Sequence, residues 1–228
     1  SLLKVTRMGA INTYLVREDD GLTLVDTGMP GSAKGILAAA DKAGAPIVRI
    51  ALTHAHGDHV GSVDALVKEL PDVEVSIGAR DARLLRKDTT MEPDEPQAKP
   101  RGNFSGIETA PTHELEPGDR VGSLEVVAAP GHTPGQIAFF DMRDRTLIAG
   151  DAFQTLGGIA VAGVVRPLFP LPALATWHLP TALSSARALR ALEPARLAVG
   201  HGRVLEVPTA AMDEAIAAAA KKAQGAAG

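Results

Sequence analysis

The sequence predicts an α/β fold in which two β-sheets pack face to face with helices on their outer sides. Three observations lead there. Apolar runs that alternate as strands do recur through both halves of the chain, and helix-spaced runs separate several of them. Strand after strand also closes on a histidine or an aspartate, which lines those ends along one edge. The expected organisation is one domain over residues 1–228, made of two similar halves at about 1–115 and 116–228.

Residues 1–27 read as strands. Asn12 to Val16 and Leu22 to Val25 are joined by the turn Asp19-Asp20-Gly21, and Asp26 follows the second strand. Asp26 is either a turn or cap residue or a carboxylate that steadies a histidine. Ser32 is the expected N-cap of a helix carrying Ile36, Leu37 and Ala40, closed by Gly44 and Pro46. Val48, Ile50 and Leu52 alternate as a strand. Val63, Leu66, Val67 and Leu70 then mark one helix face that Pro71 ends. Residues 73–77 alternate again. Residues 88–118 are polar and interrupted by five prolines, as in a lid, a binding loop or a mobile segment. Its His113 reads as an ordinary loop residue. Strands follow at 124–128 and in a hairpin of 136–141 with 145–149. A helix carries Leu183 to Leu192, a short strand covers 197–199, and an Ala-rich helix runs from about Pro208 towards a frayed tail.

Composition narrows the chemistry. A net charge of −4 with no long basic run argues against a nucleic-acid partner. The chain has no cysteine, so any metal must take histidine and carboxylate ligands; this also fits a cytoplasmic location. No stretch is long and apolar enough to span a membrane.

Between the strand at 48–52 and the helix at 63–70 lies Thr53-His54-Ala55-His56-Gly57-Asp58-His59. It holds three of the seven histidines of the chain. His54 and His56, two apart on an extended loop, can grip one divalent ion. Asp58 and His59, further round the turn, can grip a second. His132, Asp151 and His201 each follow an apolar strand and neighbour a glycine. Each alone would pass for a turn residue. Together with the loop they complete two metal sites with a shared carboxylate.

These residues resemble the metallo-β-lactamase-fold hydrolases in order and spacing. The match runs through Asp26-Thr27-Gly28, the 53–59 loop, Gly131-His132-Thr133-Pro134-Gly135, Gly150-Asp151 and Gly200-His201-Gly202. The resemblance implies an αββα sandwich of two mixed sheets, with two metals at the sheet edge. By that match His54, His56 and His132 hold the first metal, and Asp58, His59 and His201 hold the second. Asp151 bridges both. Departures from other members narrow the activity. β-Lactamases of the fold generally carry cysteine or serine where this chain has Asp151. The lactonases use a tyrosine shortly after the bridging aspartate, where Ala152-Phe153-Gln154 stands here and the only tyrosine is Tyr14. The glyoxalase II thioesterases add a helical domain, whereas 27 residues follow His201. The RNA-processing nucleases carry an RNA-gripping arm that is not evident here. Diiron flavoproteins replace the second histidine by glutamate, and His56 is intact.

The expected function is therefore a dinuclear metal-dependent hydrolase of the glyoxalase II or lactonase-like branch. It would use a hydroxide held between two divalent ions, zinc first, with iron or manganese also suited. Asp58 would steer the nucleophile and move its proton. The expected bond is an ester, lactone or thioester of a small molecule. The alternatives are a phosphodiesterase and a non-catalytic metal-binding or interaction module. Residues 152–180 are too apolar for an ordinary surface loop. They are either core or a homodimer contact, or the wall of a pocket for a substrate with a hydrophobic portion.

Overall fold

The computed structural model describes residues 1–104 and 106–225. The chain begins with β1 (Leu2–Arg7), β2 (Ile11–Arg17) and β3 (Leu22–Val25), then α1 (Ala33–Ala43) and β4 (Ile47–Leu52). After these come α2 (Gly57–Val60), α3 (Val63–Glu69), β5 (Glu74–Gly78), α4 (Ala79–Leu85) and β6 (His113–Leu115). The second half holds β7 (Arg120–Val121), β8 (Leu124–Ala128), β9 (Ile137–Asp141), β10 (Thr146–Ile148), β11 (Phe153–Gln154) and β12 (Ala160–Val161). It closes with α5 (Leu171–Leu174), α6 (Leu179–Ala191), β13 (Arg196–Ala198), β14 (Leu205–Glu206) and α7 (Thr209–Gly225). The frayed tail expected after α7 lies outside the described residues.

Two six-stranded mixed sheets result. One runs β1-β2-β3-β4-β5-β6 and the other β14-β13-β10-β9-β8-β7. Strand periodicity decides what each face meets. In β2, Tyr14 and Val16 face the space between the sheets while Leu15 faces outwards. In β9, Ile137 and Phe139 point inwards, and Ala138 and Phe140 point out towards α6 and α7. Helices α1, α3 and α4 cover the outer face of the first sheet. Three apolar layers thus separate helix, sheet, sheet and helix, as the αββα expectation requires.

Several local expectations change. Ser32 stands at the N-cap position of α1, but its hydroxyl donates to the Met29 carbonyl (2.8 Å) and makes no cap hydrogen bond. Its own N–H donates to Ser62 Oγ (2.9 Å), so a tertiary contact replaces the local cap. The helix expected over 63–70 forms as α3, and a further short helix, α2, begins within the histidine loop itself. His113 belongs to strand β6 rather than a loop; it is exposed, 3.9 Å from Glu74. No described helix is long and apolar enough to cross a membrane.

The sheets are locked together at one edge by polar groups. The buried Tyr14 hydroxyl donates to the Val199 carbonyl (2.7 Å) and accepts from the Val199 N–H (3.1 Å). Asn12 Nδ2 donates to the carbonyls of Val199 (2.9 Å) and Gly202 (2.8 Å), and the Asn12 N–H donates to Gly200 O (2.8 Å). Tyr14→Phe keeps the ring but strands the Val199 N–H in the core. It should cost about 1–3 kcal/mol in urea unfolding; a change within about 0.3 kcal/mol would show that the hydroxyl carries none of the lock.

Candidate metal centre

Strand direction gathers the site. β3, β4 and β5 are mutually parallel, so Asp26, the 53–59 loop and the start of α4 leave the first sheet at the same edge. In the second sheet β10 and β13 are parallel, and β8 joins that direction because β9 is antiparallel to both its neighbours. His132, Asp151 and His201 accordingly leave at one edge, in the manner of α/β proteins that bind ligands beyond their strand C-termini.

The seven residues singled out by sequence meet there. Their donor atoms fall into three overlapping groups within 4.8 Å: His54, His56 and His132; His54, His59 and Asp151; Asp58, His59 and His201. Asp151 carboxylate oxygens lie 3.4 Å from His59 Nε2, 3.4 Å from His132 Nε2 and 3.1 Å from His201 Nε2. Asp151 thus touches both histidine sets. Asp58 lies 3.4 Å from His201 Nε2 and is the least buried member, its side chain 41% accessible. His113 joins none of these groups.

Each imidazole has one nitrogen held by the protein. His54 Nδ1 donates to Thr53 Oγ1 (3.0 Å), whose hydroxyl in turn donates to Asp26 (2.8 Å). His59 Nδ1 donates to the same Asp26 carboxylate (2.8 Å). His132 Nδ1 donates to Thr176 Oγ1 (3.1 Å), which itself donates to Pro172 O. His56 Nε2 donates to Arg101 O (2.8 Å) and His201 Nδ1 to Ala10 O (3.1 Å). The opposite nitrogens turn inwards towards one another and towards Asp58 and Asp151, and those of His54 and His59 have no hydrogen-bond partner. This is how ligand histidines are oriented by their outer partners.

The bare atoms fit a cation. His54 Nε2, His59 Nε2 and Asp151 Oδ1 are buried without a hydrogen-bond partner. Each such orphan costs about 1–3 kcal/mol. His56 Nδ1 and His132 Nε2 face one another at 2.9 Å although both rings already place their hydrogen elsewhere. Two lone pairs meeting so closely call for a positive charge between them. The donor set of imidazoles and carboxylates suits zinc, iron or manganese.

Electrostatics divides the cluster. Burial, reinforced by the neighbouring imidazoles, drives His54 well below its ordinary value and His132 down to about 3. These rings stay neutral. Burial opposes charge on His59 and His201 too, but Asp151 and other carboxylates outweigh it and lift them to about 9 and about 10. Burial likewise pushes Asp58 and Asp151 upwards, and the facing His59 and His201 hold both below the usual carboxylate range. The second set is therefore strongly cation-seeking.

Two further carboxylates hold the loops. Asp26, at φ 59°, accepts from the Thr53 N–H (2.8 Å), the Thr53 hydroxyl and His59, so of its two open readings the steadying role is the one observed. Asp81 in α4 was not singled out from sequence. It is fully buried and accepts from Ala55 N–H (2.9 Å), Thr133 Oγ1 (2.8 Å) and Gly135 N–H (2.8 Å). It thereby pins the His54–His56 loop to the His132 turn. Burial pushes its carboxyl up to about 6 despite these donors. Gly200 is needed for room: a Cβ there would strike Asp151 and the His59 ring.

The cluster floors a cleft of about 660 Å³ walled by Met8, Ile11, Met29, Phe169, Leu171 and Leu174. The Phe169 ring sits 5.1 Å from that of His201. Segment 152–180 thus divides. Phe153, Val161 and Trp177 are buried, whereas Phe169, Leu171 and Leu174 line the cleft.

Comparison with known proteins agrees with this geometry. The family model described as the metallo-beta-lactamase superfamily matches residues 6–201. The chain is 48% identical over 212 residues to Uncharacterized protein YobT of Bacillus subtilis (strain 168), covering 92% of this chain and 91% of that protein. It is 32% identical over 217 residues to the probable metallo-hydrolase YflN of the same organism, covering 84% and 80%. The crystal structure of TTHA1623 in a di-iron-bound form superposes with a TM-score of 0.65 at 27% identity, covering 92% of this chain and 96% of that one.

Proposed function

Because the chain belongs to the metallo-beta-lactamase superfamily, we propose that it is a hydrolase that binds two divalent metal ions and cleaves an ester, lactone or thioester with a hydrophobic acyl portion. His54, His56 and His132 would hold one ion, Asp58, His59 and His201 the other, and Asp151 both. The observation that carries this reading is the set of inward-turned imidazole nitrogens described above, converging on Asp58 and Asp151 while the outer nitrogen of each ring is engaged by the protein. The di-iron form of TTHA1623 supports a two-metal count. Zinc is the first expectation for a donor set without thiolate, and iron the next.

Divalent ions in such a site supply Lewis acidity to a carbonyl and lower the pKa of water towards about 7. The remaining work falls to side chains. Asp58 is the cluster residue most open to the cleft, and His59 and His201 keep it ionised. It accepts the proton of the attacking water on its carboxylate and passes it to the departing oxygen or sulfur. Phe169, Leu171 and Leu174 take up the apolar part of the substrate and exclude water around the scissile bond. Among the described residues, no lysine or arginine lines the cleft. That favours an uncharged carbonyl substrate over a phosphodiester. An open cleft of this size above the cluster also argues against a module without chemistry.

A panel of chromogenic esters, lactones, thioesters and phosphodiesters, assayed with zinc-, iron- and manganese-loaded protein, tests the reaction class. Turnover confined to phosphodiesters would overturn the carbonyl reading. Asp58→Ala should lower kcat by about 10²-fold or more while both metals stay bound. Near-normal kcat with full metal content would remove Asp58 from the proton path.

Acyl-chain preference tests the wall. The protein should prefer long acyl chains to acetyl, and Phe169→Ala should raise KM for the long-chain substrate about tenfold per 1.4 kcal/mol of lost contact, with little effect on the short one. Equal effects on both chain lengths would assign the segment to another role.

A further inference from the structure

Residues 98–104 cross the cleft margin and are tied to the cluster by backbone carbonyls. Ala98 O accepts from Trp177 Nε1 (2.7 Å), Arg101 O from His56 Nε2 (2.8 Å) and Asn103 O from the Gly57 N–H (2.9 Å). The Phe104 ring packs against His56 with centroids 4.8 Å apart. Between these ties Gly102 takes φ +99°, which side-chain-bearing residues rarely adopt, and a Cβ there would collide with His56 Nε2.

We propose that this strap sets the orientation and tautomer of His56, with Gly102 as its positioning residue. A neutral imidazole can carry its hydrogen on either nitrogen, and only the form protonated at Nε2 turns a bare Nδ1 towards His132. Among the described residues the strap provides the acceptor that selects this form, Arg101 O. A backbone carbonyl can approach the ring edge only where no Cβ intervenes, which is why position 102 is glycine.

The strap also couples the two rings that face each other. Trp177, which holds Ala98, donates its own N–H to His132 O (2.9 Å), and its neighbour Thr176 accepts from His132 Nδ1. One chain of bonds therefore runs from His56 through Arg101, Ala98 and Trp177 to His132. The long polar segment on one side of the cleft and the apolar segment on the other are joined above the first set of ligands.

The consequence for metal affinity rests on the proposed ligand role of His56; the effect on the ring does not. The test is 15N NMR of the imidazole groups in the zinc-loaded protein, paired with zinc competition against a chromophoric chelator. Unaltered protein should show His56 Nε2–H protected from solvent exchange. Gly102→Ala should speed that exchange at least about tenfold, and weaken one zinc site by about 10- to 100-fold while leaving the other within about threefold. Trp177→Phe, which keeps the packing but drops the tie to Ala98, should shift the same site in the same direction by less. Unchanged His56 exchange in Gly102→Ala overturns the proposal. If Gly102→Ala fails to fold, unchanged exchange and affinities in Trp177→Phe overturn it instead. Faster exchange with both zinc affinities unmoved supports the strap and rejects His56 as a ligand.

Discussion

An imidazole serves a metal with one nitrogen only if something else engages the other. That constraint organises this molecule. Five histidines converge in a buried space where a misplaced ring hydrogen would meet another donor, and each is met on its outer side by a fixed acceptor. Three of these acceptors are backbone carbonyls or side-chain hydroxyls contributed by distant segments: Arg101, Ala10 and Thr176. The others lead back to one carboxylate, Asp26, directly for His59 and through the Thr53 hydroxyl for His54. Asp26 thus steadies one ring from each histidine set. Asp81 does for the loops what Asp26 does for the rings, by taking donors from both halves of the chain.

The sandwich exists in a form that makes this possible. Parallel strands in each sheet carry their loops to the same edge, and the two edges are brought into register by Tyr14 and Asn12 reaching across to the segment that ends in His201. Those two residues lie on β2, while the adjoining turn supplies Ala10 O to His201. The lock between sheets and the orientation of a ring therefore come from one hairpin. The three apolar layers supply most of the burial. The polar lock decides where the edges sit relative to one another, which hydrophobic contact alone, being non-directional, does not.

Local spacing made part of this legible. The 53–59 loop displays four of the seven clustered residues within one strand-to-helix connection, and His132, Asp151 and His201 stand out because each follows an alternating apolar strand. The strands themselves were readable for the same reason, since two-residue alternation survives without knowledge of partners. What was not legible depends on contacts across the chain. Asp81 sits inside a helix that the sequence did not signal, and its three donors come from loops 26 to 54 residues away. Arg101 acts through its carbonyl, which has no side-chain signature. Ser32 looks like a cap because the local chemistry is right, yet its N–H and hydroxyl are taken by Ser62 and Met29. His113 falls in a proline-broken run, but pairing with β5 draws residues 113–115 into the sheet.

The central claim is that two cations complete the inward-facing nitrogens and carboxylates. Anomalous diffraction at the zinc and iron edges, on crystals of the purified protein, measures this directly. The account predicts two peaks per chain, one bounded by His54 Nε2, His56 Nδ1 and His132 Nε2, the other by Asp58, His59 Nε2 and His201 Nε2, with Asp151 touching both. A chain that shows no peak among these atoms, even after soaking in zinc, or that binds metal elsewhere, would contradict it.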